Sequence, residues 1–179
     1  MAGNIACHNL SGRLSVAMAG TLFHKGVVQV FIGAEDHPPP HVHAYHPGEG
    51  WLARFRFSFL SAVTGLYRFK RAGRRPTNAA LDAIAAAIEA NIRLCRADWW
   101  CTHGGRLGIG LVNRQAETRP AQSGDGVLVR VALKPERPSY GILSATYNVT
   151  TEQVGLTLSD GRRLSLTAGQ HIEEADEWT

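Results

Sequence analysis

Three consecutive prolines, set inside Asp36-His37-Pro38-Pro39-Pro40-His41-Val42-His43, limit the fold of this 179-residue chain more than any other stretch does. Each proline ring fixes φ and removes a backbone donor, so the run takes no part in regular pairing and reads as a stiff, extended loop. Before it, Val27-Val28-Gln29-Val30-Phe31-Ile32 is β-branched and aromatic and stops at Gly33, the pattern of a buried strand. After it, Trp51–Leu60 alternates: Trp51, Ala53, Phe55, Phe57 and Phe59 share one face, Arg54, Arg56 and Ser58 the other. That is a half-buried strand with a basic outer face. Leu66–Phe69 reads as one more short strand.

Periodicity then changes. Pro76-Thr77-Asn78 supplies a helix start with a capping residue. Leu81, Ile84, Ile88, Ile92 and Cys95 recur at three- and four-residue steps, one apolar stripe on an alanine-rich helix over 77–98 that ends near Trp99-Trp100. From Gly104 to Gly126 no period is sustained, and the segment reads as a linker. Val127–Leu133 and Ile142–Val149 read as strands, and Asp160-Gly161 predicts a hairpin between Val154–Leu158 and Arg163–Leu166. The expected fold is α+β: a small antiparallel sheet packed against one long amphipathic helix, followed by a linker and a small β-hairpin-rich segment. The divisions are an extension over 1–17, with Met18 a plausible domain start, a histidine-loop domain over 18–103, a linker over 104–126 and a β-rich partial domain over 127–179.

Four of the eight histidines fall between 37 and 46. If the chain beyond the prolines is extended, His41 and His43 share a face and His46 turns away. Two imidazoles on one face can chelate a divalent metal, or one can act as general base while the other stabilises charge, and His41, His43 and His37 are the candidate catalytic residues. Glu35, Asp36 and Glu49 are near enough in sequence to orient them, and Cys95, Cys101 and His103 stand by at the helix end. The plainer alternative stays open: prolines and imidazoles can build a rigid packed turn with no chemistry at all. The cupin and histidine-triad spacings both fail here. No Cys-x-x-Cys pairing accompanies the cluster, so no metal or cofactor is expected.

Charge is uneven. The net charge is +4, yet Trp51 to Pro76 holds seven cations and no acid: Arg54, Arg56, Arg68, Lys70, Arg71, Arg74 and Arg75. Such a patch attracts RNA or another phosphate-bearing ligand, or an acidic partner, and Tyr67 and Phe69 interleave it with rings that stack on bases. The same arginines can also simply solvate a sheet face. An acidic run from Glu173 to Glu177 could answer the patch from within the chain. No stretch has the roughly 18 apolar residues of a membrane helix. With no secretory h-region and an odd set of three cysteines, a cytoplasmic setting is expected.

The order strand, His37, Pro39-Pro40-His41-Val42-His43, alternating strand 51–60, then a helix carrying Asn91 and ending in Trp99-Trp100, resembles the bacterial domain of unknown function 4160 over about Met18–His103. The segment around Leu158-Ser159-Asp160-Gly161-Arg162-Arg163-Leu164-Ser165-Leu166 resembles the opening hairpin of domain of unknown function 2442, cut short after Thr167. The resemblance implies a genomic context rather than a reaction. Members of the two families occur as neighbouring genes proposed to be toxin–antitoxin-like pairs, so the expected role is a component of such a system with a cognate antitoxin-like partner. A non-catalytic protein- or nucleic-acid-interaction module is the alternative. Neither family brings established catalytic residues.

Overall fold

A computed structural model of the chain describes residues 20–61, 64–70, 74–120 and 127–174. The expected extension over 1–17, the Met18 start, Arg71 and the acidic residues after Glu174 lie outside the described residues. The architecture is mostly β. Strands β1 (Thr21–Lys25), β2 (Val28–Phe31), β3 (His41–His46), β4 (Trp51–Phe57) and β5 (Thr64–Lys70) form an antiparallel meander in sequence order. Two helices follow, α1 (Asn78–Ala90) and α2 (Ile92–Leu107). A second, six-stranded sheet then contains β6 (Gln115–Pro120), β7 (Val127–Ala132), β8 (Ser139–Asn148), β9 (Gln153–Leu158), β10 (Arg163–Thr167) and β11 (Ile172–Glu174), in the order β10-β9-β8-β6-β7-β11. All its pairings are antiparallel except that of β11 with β7.

The expected fold class is therefore overturned. There is no single long helix. Thr77 caps α1 through its hydroxyl, which accepts from the Ala80 N–H at 3.2 Å. At Asn91 the side-chain amide donates to the Ala87 carbonyl at 2.8 Å, and the backbone N–H turns to Ile88 instead at 3.0 Å. The side chain thus takes the acceptor that the next helical turn would use, and the helix breaks there. Because Ile92 and Cys95 continue the three–four spacing across the break, the apolar stripe looks unbroken in sequence.

The stretch read as a linker also differs. Residues 104–107 extend α2, and β6 lies inside the second sheet, paired on both sides. Its Ala116 is fully buried, and Glu117 accepts the backbone N–H groups of Glu136 and Arg137, ordering the turn after β7. The C-terminal strands belong to one six-stranded sheet and not to a small hairpin-rich segment. The Asp160-Gly161 turn does join β9 to β10, but both belong to the larger sheet.

Strand β4 buries Trp51, Ala53, Phe55 and Phe57, with Phe59 following. Leu81, Ile84 and Ile88 of α1 and Cys95 and Trp99 of α2 join this cluster, which runs on into Val129, Val131, Tyr147, Val154, Leu156 and Leu158 of the second sheet. Between the sheets, Phe59 meets Tyr147 edge-on at 4.9 Å, the Gly169 N–H donates to the Leu60 carbonyl at 2.9 Å, and Ser58 Oγ donates to Glu174 at 3.0 Å.

Candidate functional site

The site grows from the loop between β2 and β3. Gly33 ends the first of these strands, and the loop then folds back so that the Gly33 N–H donates to Asp36 Oδ2 at 2.7 Å. This aims the Asp36 carboxylate at the start of β3. There the alternation turns His41 and His43 to the same face, as their spacing predicts. His43 Nε2 lies 2.9 Å from Asp36 Oδ1 and 3.1 Å from Oδ2. His41 Nε2 stands 3.3 Å from Oδ1, inside ion-pair range but outside hydrogen-bonding geometry. All three side chains are buried, His41 completely. Burial works against ionising Asp36, but the two imidazoles and the Gly33 N–H outweigh it and hold the carboxyl well below the usual carboxylate range.

Rings close around the cluster. Phe31 stacks on His43 at 5.1 Å, and Tyr67 and Trp99 face His41 at 5.9 and 6.0 Å. The second half of α2 clasps the loop: His103 Nε2 donates to the Gly33 carbonyl at 2.9 Å, and Arg106 donates to the Asp36 carbonyl at 3.3 Å. Burial pushes the His103 imidazole below its ordinary range, so it serves as a neutral donor. His41 Nδ1 faces the Pro39 carbonyl at 2.9 Å, an acceptor only, so the hydrogen belongs on that nitrogen.

Cross-strand register extends the site into a basic face. His41 stands opposite Arg56 and His43 opposite Arg54, which in turn stands opposite Arg68; Lys70 is paired with Leu52 one step further along the same face. A β-bulge beside Arg54 re-aims Tyr67. The patch read from the sequence is therefore divided. Arg54, Arg56, Arg68 and Lys70 accompany the histidines. Arg74 and Arg75 instead line a separate cleft of about 460 Å³ with Lys25, Trp51 and Ile84.

His37 is exposed, its ring 5.5 Å from that of His41. His46 turns to the opposite face, where it packs on Trp51 at 5.4 Å. Glu49 is spent on the Trp51 indole N–H at 2.7 Å, which leaves Asp36 as the acid that joins the histidines. Cys95 lies in the core with its thiol pushed up to about 12, chiefly by burial, and takes no part. Sequence reasoning missed Phe31 and Arg106, and it placed Trp99 only as the end of a helix. Arg106 meets Asp36 across seventy positions, and no local pattern announces such a contact. No family model, curated protein or solved structure matches this chain.

Among the described residues, no helix is long and apolar enough to cross a membrane.

Proposed function

We propose that this chain acts in a toxin–antitoxin-like system by engaging a phosphate-bearing ligand, RNA first, on the face that carries His41, His43, Arg54, Arg56, Arg68 and Lys70. The observation that carries the reading is the register of β3, β4 and β5, which lines up three arginines beside two histidines. Cations gathered on one sheet face bind phosphates by releasing counterions, and exposed Tyr67 offers a ring for a base. The resemblance to the domain of unknown function 4160 supplies the system and, with it, a cognate antitoxin-like partner.

The test uses the full chain, because the buried cluster is shared by the two sheets. Binding of a single-stranded RNA is measured by fluorescence anisotropy against salt. Arg54→Gln, Arg68→Gln and Lys70→Gln together weaken binding by about tenfold or more and flatten the log–log salt slope by about 0.7 for each phosphate no longer neutralised. Inducing the wild-type chain slows bacterial growth, and the triple variant restores it. A folded triple variant with wild-type affinity and salt slope sinks the reading.

Burial of His41 and His43 favours a second reading, an interaction module in which the imidazoles brace the face and nothing is cleaved. Intact RNA after prolonged incubation with the bound protein selects it. Cleavage that disappears in a folded His41→Gln variant selects catalysis.

A further inference from the structure

We propose that Asp36, His41 and His43 bind one divalent first-row transition ion through a carboxylate oxygen and the two Nε2 atoms. Ligand atoms bonded to a tetrahedral zinc at about 2.0–2.1 Å lie about 3.3 Å apart. Here Asp36 Oδ1 stands 3.3 Å from His41 Nε2 and 2.9 Å from His43 Nε2, and one ligand atom from each residue falls within 4.8 Å of the others. Both distances from the carboxylate oxygen are already near the length an ion needs.

A second observation is the state of His41 Nε2, buried and without a hydrogen-bond partner. With a hydrogen on Nδ1, facing the Pro39 carbonyl, the ring turns Nε2 toward the Asp36 carboxylate, 3.3 Å away and outside hydrogen-bonding geometry. A ring nitrogen and a carboxylate oxygen held 3.3 Å apart in a buried site take a proton or a metal ion between them. A metal ion answers both, and the Pro39 carbonyl then becomes the outer partner that fixes the ring's tautomer. Two imidazoles and one carboxylate suit zinc, cobalt or iron(II) rather than calcium or magnesium, and leave at least one coordination position for water or ligand.

His43 is less well braced. Its Nδ1 is buried against Phe31 with no protein acceptor. An unbraced imidazole of this kind lowers affinity by about 10- to 100-fold, so the ion exchanges with a chelator instead of being locked in.

This inference does not rest on RNA binding and is tested without nucleic acid. The full chain is stripped with a chelator and titrated with zinc by calorimetry. One ion binds per chain, and the melting temperature rises with zinc concentration. Cobalt(II) in place of zinc gives the intense visible absorption of a four- or five-coordinate site. Asp36→Asn and His41→Gln, each checked by circular dichroism, lose about tenfold or more in zinc affinity, whereas His46→Ala, on the opposite face, does not. Absence of saturable one-to-one uptake by the wild-type chain overturns the proposal, as does wild-type affinity in either folded variant. If both variants unfold, the wild-type cobalt spectrum decides: weak, octahedral-type bands count against the site.

Discussion

A methyl group at Gly33 would sit 2.9 Å from Asp36 Oδ1 and 3.1 Å from its carboxyl carbon, closer than real Cβ contacts allow. The carboxylate has no room to yield, since Gly33 and His43 hold it from two sides. Gly33→Ala therefore lowers stability by about 1–3 kcal/mol, read in a urea titration, and loosens the loop that presents the histidines. A wild-type midpoint in that variant would mean that the Asp36 hook is dispensable. Cys95 supports a separate statement. Burial, aided by Asp98, keeps its thiol protonated across the physiological range, and only the thiolate is a nucleophile. Peptide-level mass spectrometry after alkylation of the native chain finds Cys95 unmodified, and modified once the chain is unfolded. Asp98 itself is raised above the ordinary carboxylate range by burial. Because the folded state favours its neutral form, its contribution is fully present below about pH 4 and is lost as pH rises through the folded value. Asp98→Asn accordingly leaves the melting temperature unchanged at pH 3 and raises it at pH 7; a rise of equal size at both would assign the effect to packing.

Helix α2 contains two adjacent glycines with opposite consequences. A Cβ on Gly104 would lie 2.7 Å from the Trp100 indole, whereas one on Gly105 meets nothing within 4 Å. Alanine in an open helix interior gains about 1 kcal/mol over glycine. Gly105→Ala thus stabilises the protein by up to about that amount. Gly104→Ala destabilises it, because Trp100 must move. Paired thermal melts check both signs, and a stabilising Gly104→Ala would show that Trp100 packs loosely. The same helix shows how far sequence reasoning reaches. A glycine pair after two tryptophans reads as a stop, yet Gly104 is there to admit a ring from one turn earlier, and the true end is Gly108, at φ 59°. In the first sheet the alternation of β4 and the pairing of His41 with His43 are legible, since period two is a property of the strand alone. What is not legible is register. That Arg54 faces His43 while Arg74 and Arg75 go elsewhere depends on strand register, and the bulge beside Arg54 leaves no compositional mark. Strand β6 is silent for another reason: Gln115-Ala116-Glu117-Thr118-Arg119-Pro120 is strand because neighbours on both sides pair with it, not because its residues prefer extension.

At the scale of the molecule, the short segment 58–61 ties the parts together. Arg96, buried in α2, donates to the carbonyls of Ser58 at 2.9 Å and Ser61 at 2.8 Å. Phe59 reaches Tyr147 of the second sheet, and Leu60 accepts from Gly169 beyond β10. Removing the Phe59 ring takes away the aromatic bridge between the sheets and opens a cavity in the shared core, a change that typically costs about 3–5 kcal/mol. If the two sheets unfold as one cooperative unit, Phe59→Ala lowers amide-exchange protection in β4 and β9 by the same free energy, and the wild-type chain melts in a single transition by every probe. If they are separate units joined by a chain, β9 keeps its protection when β4 loses it, and the melt resolves into two steps. The first outcome has a functional corollary. Asp36 and the histidines are clasped by α2, and α2 is anchored through Arg96 to the segment that meets the second sheet. A lesion in β8 or β9 that unfolds that sheet then weakens zinc uptake at His41 without touching a ligand, and Tyr147→Ala, titrated beside wild type, reads that coupling directly.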